Sequence, residues 1–485
     1  MAGFLMRQPG LTLTPRLVLS GIALLTLWRV AMLWANRTDL WVDESQYWLW
    51  GQSFSFGAFS KPPLIGWLIG LVTSAAGDST FGVRLAAPLL HGATAGVILV
   101  LARRLADDRV AGLAALVYVT MPAATLGSLL ISTDTPMLLA IAVAFLLQHR
   151  LATAPHPGVA ALLGLTLGLG FLSKHAMLFA MAGMAGAALA SADWRIARRD
   201  LGVAAAVALA VIAPNLWWIA SSGFVTLRHL AESGAARDPG LHPAGSLRFV
   251  AEQFAVVGPV AFAAFLAAAP RAKGAMRGLA VAAGVILAIV VVQALAARAL
   301  ANWAVGFTVA GSILAATWLA PRPRWTAVSL AIGLAIAILL PVLTVFGTSW
   351  RVPASLDPER PLILARYLGR AEVSDRAMRF ALEHGATSIL AADRDLLADL
   401  SWQARDTSLR IVATPHDGPA RHHWDLAFPY DASRDSQPVL LRRGPPTGCE
   451  SGPADSWTAG PGFAEGETFS ITTVSPSCLG VLVHD

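Results

Sequence analysis

Long apolar segments alternate with short polar connections over the first 346 residues of the chain. Most of these segments run for about 18–20 residues, and a helix of that length crosses the ~30 Å hydrocarbon layer of a bilayer. The chain of 485 residues is 55% hydrophobic and only 14% charged, whereas about a quarter of the residues in a soluble domain are charged. The pattern predicts an all-α polytopic membrane protein. About eleven transmembrane helices are expected, over residues 17–34, 85–102, 110–126, 137–147, 158–172, 176–190, 201–219, 249–269, 279–296, 303–319 and 325–346.

The distribution of Lys and Arg between alternate connections predicts the orientation of the chain. The first apolar segment has no small-residue cleavage site, so we expect an uncleaved helix whose Arg29 snorkels outward or faces the protein interior. If the N-terminus lies inside, the inner connections hold most of the basic residues. The positive-inside rule then places residues 36–67, Asp134 and Lys174 on the outer face. The net charge of +6 therefore reflects membrane topology, and no nucleic-acid partner is expected.

The composition changes after residue 346, where the apolar segments end. The remainder is charged and rich in Asp, Arg and Pro, with alternating helix and strand patterns, which predicts a small C-terminal α/β domain. The expected division is a transmembrane domain over 1–346 and an extracytoplasmic domain over 347–485. Both cysteines of the chain, Cys449 and Cys478, fall in the second domain, and a disulfide between them is expected in an oxidising compartment. Helices are expected over 371–384 and 393–404, and strands over 388–391, 409–413 and 439–442.

Charged and aromatic residues are concentrated in the stretch over residues 36–67, which follows the first apolar segment. Aromatic rings are most stable at the boundary between lipid and water, so their density predicts that the stretch lies there. Asp43, Glu44 and Lys61 are costly at that depth unless they have a function, which makes the stretch the candidate active site. The aromatic residues are Trp41, Tyr47, Trp48, Trp50, Phe54, Phe56, Phe59 and Trp67.

Asp43 and Glu44 are neighbours, so on a helix their side chains point about 100° apart. They cannot act as a facing pair of carboxylates unless the backbone is irregular. One of them can face a pocket while the other caps or orients the helix. The alternative for Asp43 is that it only caps a short interfacial helix.

Three cations, Lys61, Arg84 and Lys174, are candidates for binding a lipid phosphate or pyrophosphate through charge-assisted hydrogen bonds. Lys61 precedes two prolines, which restricts its backbone to an extended conformation. Lys174 lies in strongly apolar surroundings, where an unpaired charge is expensive. The alternative for Lys61 is ordinary snorkelling. Asp134 is either a further functional acid or only the cap of the next helix.

The histidines do not show the spacing of a metal site, so no metal site is predicted from the residues themselves. Four histidines are each expected to have a structural role: His91, His175, His229 and His242. The pair His422-His423 is expected to be solvated surface.

Six short motifs lie between the first apolar segment and Trp303, and their combination is specific although each one alone is weak. They are D-E-S-Q-Y-W, S-K-P-P-L-I-G-W, V-R-L, S-T-D-T-P, F-L-S-K-H-A-M and A-N-W. Together they resemble the GT-C membrane glycosyltransferases. Within that class the chain is similar to the superfamily of protein O-mannosyltransferases, lipid A aminoarabinose transferases and rhizobial galacturonic acid transferases. The C-terminal domain shows no such resemblance.

This resemblance implies an inverting transfer of a sugar from a polyprenyl-phosphate donor, at the outer face of the bacterial inner membrane. Asp43 matches the family's catalytic aspartate, Lys61 and Lys174 match positions near the donor phosphate, and Asp134 matches a functional acid. Aminoarabinose transferases have Glu before Lys-Pro-Pro and use it in a metal site. This chain has Ser60 there, which puts a divalent metal cofactor in doubt.

The expected partners are the polyprenyl-phosphate sugar donor, a lipid, glycan or protein acceptor of the cell envelope, and the bilayer itself. The residues do not identify the sugar or the acceptor. A different class of function is a flippase or transporter of lipid-linked sugars. Such a protein would carry charged residues near the middle of several helices and repeat symmetry, whereas here the spans are nearly free of charge.

Overall fold

The structure, a computed structural model, describes residues 14–234, 240–353, 362–446, 450–475 and 479. The chain divides into two compact units. The first unit holds the residues up to 31, 87–216 and 231–340. The second holds residues 32–86, 217–230 and the chain from 341 onward. Cys449 and Cys478 lie outside the described residues, so the disulfide stays a prediction.

Helices occupy every segment that the sequence predicts to cross the membrane. The helices up to residue 346 are α1 (Pro15–Trp34), α2 (Val42–Gly51), α3 (Leu64–Ala76), α4 (Thr80–Arg84), α5 (Ala86–Leu105), α6 (Asp108–Thr120), α7 (Pro122–Leu126), α8 (Asp134–Thr153), α9 (Pro157–Ser173), α10 (Met177–Ala190), α11 (Arg198–Ser221), α12 (Val225–Gly234), α13 (Pro243–Val257), α14 (Pro259–Ala268), α15 (Gly274–Ala296), α16 (Phe307–Leu319) and α17 (Pro323–Phe346). Among the described residues, six helices are long and apolar enough to span a bilayer, or seven if one bent pair counts as a single span. Several other apolar helices, such as α9 and α10, are shorter than 18 residues. The expected number of about eleven spans is therefore not confirmed.

The eighth predicted span, over 249–269, is not a straight helix. Helix α13 and the helical segment from Pro259 to Arg271 meet at an angle of 114°. Gly258 joins them with a φ of 98°, a left-handed conformation that suits glycine. Because Pro259 follows and cannot donate a backbone hydrogen bond, the helix stops there. The sequence predicted a span over these residues but not the bend within it.

Arg29 of α1 faces the interior of the first unit, one of the two outcomes expected for it. Its side chain is fully buried. Its guanidinium donates hydrogen bonds to the Val119 carbonyl at 2.6 Å, to Thr125 at 3.0 Å and to Ser128 at 3.2 Å. A cation inside an apolar helix is thus stabilised by oxygen atoms of neighbouring segments.

Helices α2 and α3 of the second unit approach each other closely through glycines. A Cβ atom on Gly51 would lie 2.6 Å from the Gly66 carbonyl oxygen, and one on Gly70 would lie 2.5 Å from that of Gly51. No larger side chain fits between these backbones. The spacing of Gly66 and Gly70 therefore has the packing role that such pairs commonly have in membrane proteins.

The C-terminal part of the second unit contains a five-stranded mixed sheet with the order β2-β1-β3-β5-β4. The central β1 pairs in parallel with β2 and β3, while β5 is antiparallel to both β3 and β4. Strands β1, β2 and β3 agree with the prediction. Strands β4 and β5 were not predicted, and β4 is polar and contains a proline. The elements are α18 (Arg370–Glu383), β1 (Ser388–Ala391), α19 (Arg394–Gln403), β2 (Arg410–Ala413), α20 (His423–Ala427), β3 (Pro438–Arg443), β4 (Glu450–Thr458) and β5 (Thr468–Val474).

The apolar core of this sheet also includes residues of α2. Val42 is buried in the same cluster as Leu396 and Leu397 of α19. Trp48 packs edge-to-face on Trp402 with ring centroids 5.0 Å apart. Since α2 lies in the aromatic stretch, the candidate active-site segment is built into the core of the C-terminal region.

The start of α18 is held by carboxylates. Asp39 accepts hydrogen bonds from the backbone N–H groups of Arg370, at 2.8 Å, and Ala371, at 3.4 Å. Arg370 in turn donates to Asp399 of α19 at 2.8 Å, and both side chains of this ion pair are only 4% exposed. Burial raises the pKa of Asp39, and it raises the pKa of Asp399 to about 7 although the neighbouring guanidinium opposes this.

His422 and His423 are not solvated surface, so that prediction is wrong. His422 is 5% exposed, and its Nε2 donates to the carbonyl of Ala392 at 2.9 Å. Burial lowers the pKa of both imidazoles, that of His423 to about 4. The local sequence around the two histidines is polar and therefore did not predict their burial.

Asp399 predicts a pH dependence of stability. Its pKa is higher in the folded protein than in the unfolded chain, so the folded state is favoured at low pH and this contribution is lost as pH rises from about 4 to about 7. Asp399→Asn removes the titration. The difference in the free energy of unfolding between the native protein and this variant should shift in favour of the native protein from about pH 8 to about pH 5, by no more than about 4 kcal/mol. Thermal unfolding of the purified protein at several pH values measures this, and a difference independent of pH would contradict it.

Candidate active site

Glu44 and Arg84 form a buried ion pair at the beginning of α2. The Arg84 guanidinium donates to both carboxylate oxygens of Glu44, at 2.9 and 2.7 Å, and the two side chains are 2% and 1% exposed. Glu44 also accepts the backbone N–H of Trp41, the N-cap residue, at 2.9 Å. The pair therefore fixes both the first turn of α2 and its entry angle.

Most of the donors of Arg84 are used inside the protein. Besides Glu44, the guanidinium donates to the Thr38 hydroxyl at 2.9 Å and to the Asp39 carbonyl at 2.7 Å. An arginine has five N–H groups, so four of them have protein partners. This leaves little capacity for an additional phosphate.

Asp43 points away from Glu44 and contacts the C-terminal region. Its carboxylate accepts a hydrogen bond from Arg394, and both side chains of this pair are 41% exposed. Arg394 also donates to Gln46, one turn further along α2, at 2.6 Å. Asp43 thus keeps solvent access next to a cation, while Glu44 is fully occupied. This is the division of roles that the helical angle between neighbours predicts.

In the first unit, Asp134 forms an ion pair with Lys174. The ammonium lies 2.7 Å from Oδ1 of Asp134, and the two side chains are 17% and 13% exposed. The other carboxylate oxygen accepts from Asn302 at 3.1 Å. Asp134 is the first residue of α8, whose N-cap is Thr133. The carboxylate is therefore used in a polar cluster formed by three separate segments rather than as a cap.

Lys61 lies in a bend of the second unit just before α3, and its side chain is half-buried. Ser60 precedes it, where the family resemblance expects a metal-binding Glu. Among the described residues, there is no group of three or more His, Cys, Asp or Glu side chains placed to hold a metal ion. The side chains present do not fit the family's metal site.

The aromatic stretch is divided between two environments. Trp48 and Trp50 are only 4% and 7% exposed, and both contact residues of the C-terminal region. Phe54, by contrast, is 74% exposed and stacks on Trp67 with centroids 5.2 Å apart. The buried rings contribute to a protein core, and the expectation that the stretch lies at the lipid boundary stays a prediction.

The structure brings the predicted site residues together in pairs within each unit. Arg84 lies with Glu44, and Lys174 lies with Asp134. The expected convergence of the three cations on one phosphate stays a prediction. Sequence reasoning missed Arg394, which lies 351 positions from Asp43 and had no signal of its own. Asn302 could have been found, because it belongs to the A-N-W motif.

The chain is similar to several known proteins. A family model described as dolichyl-phosphate-mannose-protein mannosyltransferase matches residues 60–218. The lipid A galacturonosyltransferase RgtD of Rhizobium johnstonii is 36% identical over 477 residues, covering 96% of this chain and 100% of that protein. The crystal structures of ArnT from Cupriavidus metallidurans, in the apo state and bound to undecaprenyl phosphate, have a similar fold. Both give a TM-score of 0.63 at 15% and 14% identity, over 94% of this chain and 97% of ArnT.

The motifs, the apolar helices and the match along nearly the whole chain point to the same conclusion. The resemblance found in the sequence is confirmed, and transport of lipid-linked sugars is not supported as the function. The chain belongs to the GT-C membrane glycosyltransferase family that includes RgtD, and it is a multi-pass membrane glycosyltransferase.

Proposed function

We propose that the protein transfers a sugar from a polyprenyl-phosphate carrier to lipid A, and that the sugar is a uronic acid such as galacturonic acid. The observation that carries this proposal is the full-length identity of 36% with RgtD, a lipid A galacturonosyltransferase. The similarity of fold to ArnT, which was crystallised with undecaprenyl phosphate, supports a polyprenyl-phosphate donor. The membrane concerned is the bacterial inner membrane, with the reaction at its outer face.

In the proposed reaction, an acceptor hydroxyl oxygen bonds to the anomeric carbon while the bond from that carbon to the lipid phosphate breaks, with inversion. The hydroxyl proton goes to Asp43, the half-exposed carboxylate of α2. A lipid phosphate is a good leaving group, so a strong general acid is unnecessary. The site has to stabilise the phosphate charge as it develops.

Lys61 and Lys174 are the proposed partners of the donor phosphate. Lys174 is held by Asp134, which Asn302 orients in turn. We assign Glu44 and Arg84 a positioning role, since their mutual hydrogen bonds fix the helix that carries Asp43. This assignment replaces direct substrate contact, which their burial disfavours.

Asp43→Asn tests the proposed base. The amide keeps the size of the side chain but cannot accept the proton, so turnover should fall by about 10²–10⁴ while donor binding is largely kept. Transfer from a polyprenyl-phosphate donor to lipid A, followed by mass spectrometry, measures it. Asp108→Asn is a matched control, because Asp108 also forms a half-exposed pair with an arginine, Arg103. Normal turnover of Asp43→Asn would reduce Asp43 to a structural residue.

Lys61→Ala tests the proposed phosphate contact. Loss of a charge-assisted hydrogen bond that exists in the ground state should weaken donor binding by roughly tenfold or more and raise KM as well as lower kcat. Binding of the polyprenyl-phosphate donor to the purified protein measures this directly. Lys273→Ala, which removes an exposed lysine at the start of α15, should leave binding unchanged. Equal affinities of the two variants would contradict the assignment.

The proposed topology has eleven spans, a transmembrane domain over 1–346 and an extracytoplasmic domain over 347–485. It rests on the positive-inside rule. A reporter that is active only in the cytoplasm should be silent when fused after Asp485. The same reporter should be active when fused within the basic connection around Arg322. Activity after Asp485 would overturn the orientation.

A further inference from the structure

Arg394 is the first residue of α19, and its guanidinium is held in a fixed orientation beside Asp43. Nε donates to Gln46 at 2.6 Å, and Nη2 donates to the Asp43 carboxylate. Gln46 is fully buried, so the group that orients the guanidinium is itself immobile. The Arg394 side chain remains 41% exposed. A preorganised and accessible cation thus lies next to the candidate base.

Neither the helix dipole nor the ion pair with Asp43 accounts for this cation, although it does satisfy the buried side-chain oxygen of Gln46. A basic residue in the first turn of a helix opposes the helix dipole, and acidic residues are preferred there. A half-exposed ion pair also contributes little to folding. Arg394 therefore lies at a position where helix stability alone would select another residue.

Part of the guanidinium is available for a ligand. Of the five N–H groups that an arginine carries, two have the partners named above. The other three donate no hydrogen bond to any of the residues that the structure describes. A guanidinium with unused donors matches the two oxygens of a carboxylate in geometry and charge.

The proposed function creates a requirement for such a group. A uronic acid carries a carboxylate, and a second negative charge close to Asp43 is repelled unless a cation lies between the two. A neutral sugar has no such requirement. Arg84, a second arginine that contacts this helix, is buried and paired with Glu44.

We infer that Arg394 binds the carboxylate of the transferred uronic acid and makes the enzyme selective for anionic over neutral sugars. This inference rests on the proposed function and assigns the C-terminal region a part in donor specificity. A phosphate group on the acceptor is also an oxyanion that a guanidinium can bind. The experiment therefore has to distinguish the carboxylate of the donor sugar from the phosphate of the acceptor.

The test compares two polyprenyl-phosphate donors, one carrying galacturonic acid and one carrying galactose, which lacks the carboxylate. We expect Arg394→Ala to lower the ratio of kcat/KM between the first and the second donor by about 10–100-fold, since a charge-assisted hydrogen bond is lost for one donor only. Arg394→Lys should restore part of the ratio, because an ammonium supplies the charge but not the paired N–H donors of a guanidinium. Both acceptors, lipid A and dephosphorylated lipid A, are used with each variant.

The matched control is Arg376→Ala. Arg376 is another half-exposed arginine of the C-terminal region, 41% exposed and paired with Asp455 at 2.9 Å. Its removal should leave the donor ratio unchanged, which controls for general weakening of the C-terminal region. Thermal midpoints of both variants verify that they are folded.

Two results would overturn the inference. If Arg394→Ala lowers kcat/KM equally for both donors, Arg394 acts only by positioning Asp43. If its effect disappears with the dephosphorylated acceptor, the guanidinium binds the acceptor instead.

Direct binding of the two donors to the full-length protein needs no turnover. The native protein should bind the galacturonic acid donor more tightly, and Arg394→Ala should bind both about equally. Equal binding by the native protein would overturn the inference on its own. Selective binding without transfer to lipid A would count against the proposed function alone.

Discussion

The buried ion pair between Glu44 and Arg84 is the constraint on which the candidate site depends. Two charges that are almost completely removed from water are tolerable only when further hydrogen bonds satisfy them, and here Thr38, Asp39 and Trp41 supply such bonds. Removing one partner of such a pair costs about 3–5 kcal/mol, because the other charge is left buried and uncompensated. The pair therefore gives α2 one geometry, and with it a single direction for the Asp43 carboxylate.

The second consequence is that the aromatic stretch belongs physically with the C-terminal region. Val42 and Trp48 of α2 pack against α19, Asp39 holds the start of α18, and Arg394 contacts Asp43. Glycine contacts between α2 and α3 fix the opposite side of the helix. A segment that follows the first apolar helix is thus ordered by residues more than 300 positions away. The C-terminal region therefore helps to fix the position of Asp43.

In the first unit, charged side chains are likewise stabilised by ion pairs and hydrogen bonds to neighbouring groups. Lys174 and Asp134 neutralise each other and take a further hydrogen bond from Asn302, while Arg29 is surrounded by oxygen acceptors. Charges in such surroundings are stable only in satisfied clusters. Lys174, paired with one carboxylate, is still 17% exposed, in contrast to the fully enclosed Arg84.

The sequence by itself determined the membrane class, the positions of most apolar helices, the family and the first three strands of the C-terminal sheet, because apolar length, strand period and local motifs are properties of contiguous residues. It also predicted that Asp43 and Glu44 would have different roles, which follows from the helical angle between neighbours. Only the tertiary structure decided which carboxylate is enclosed, that His422 is buried, that α13 and α14 meet at a sharp bend, and that Arg394 lies against Asp43. These features depend on which distant segments pack together, and the local sequence around each residue does not contain that information.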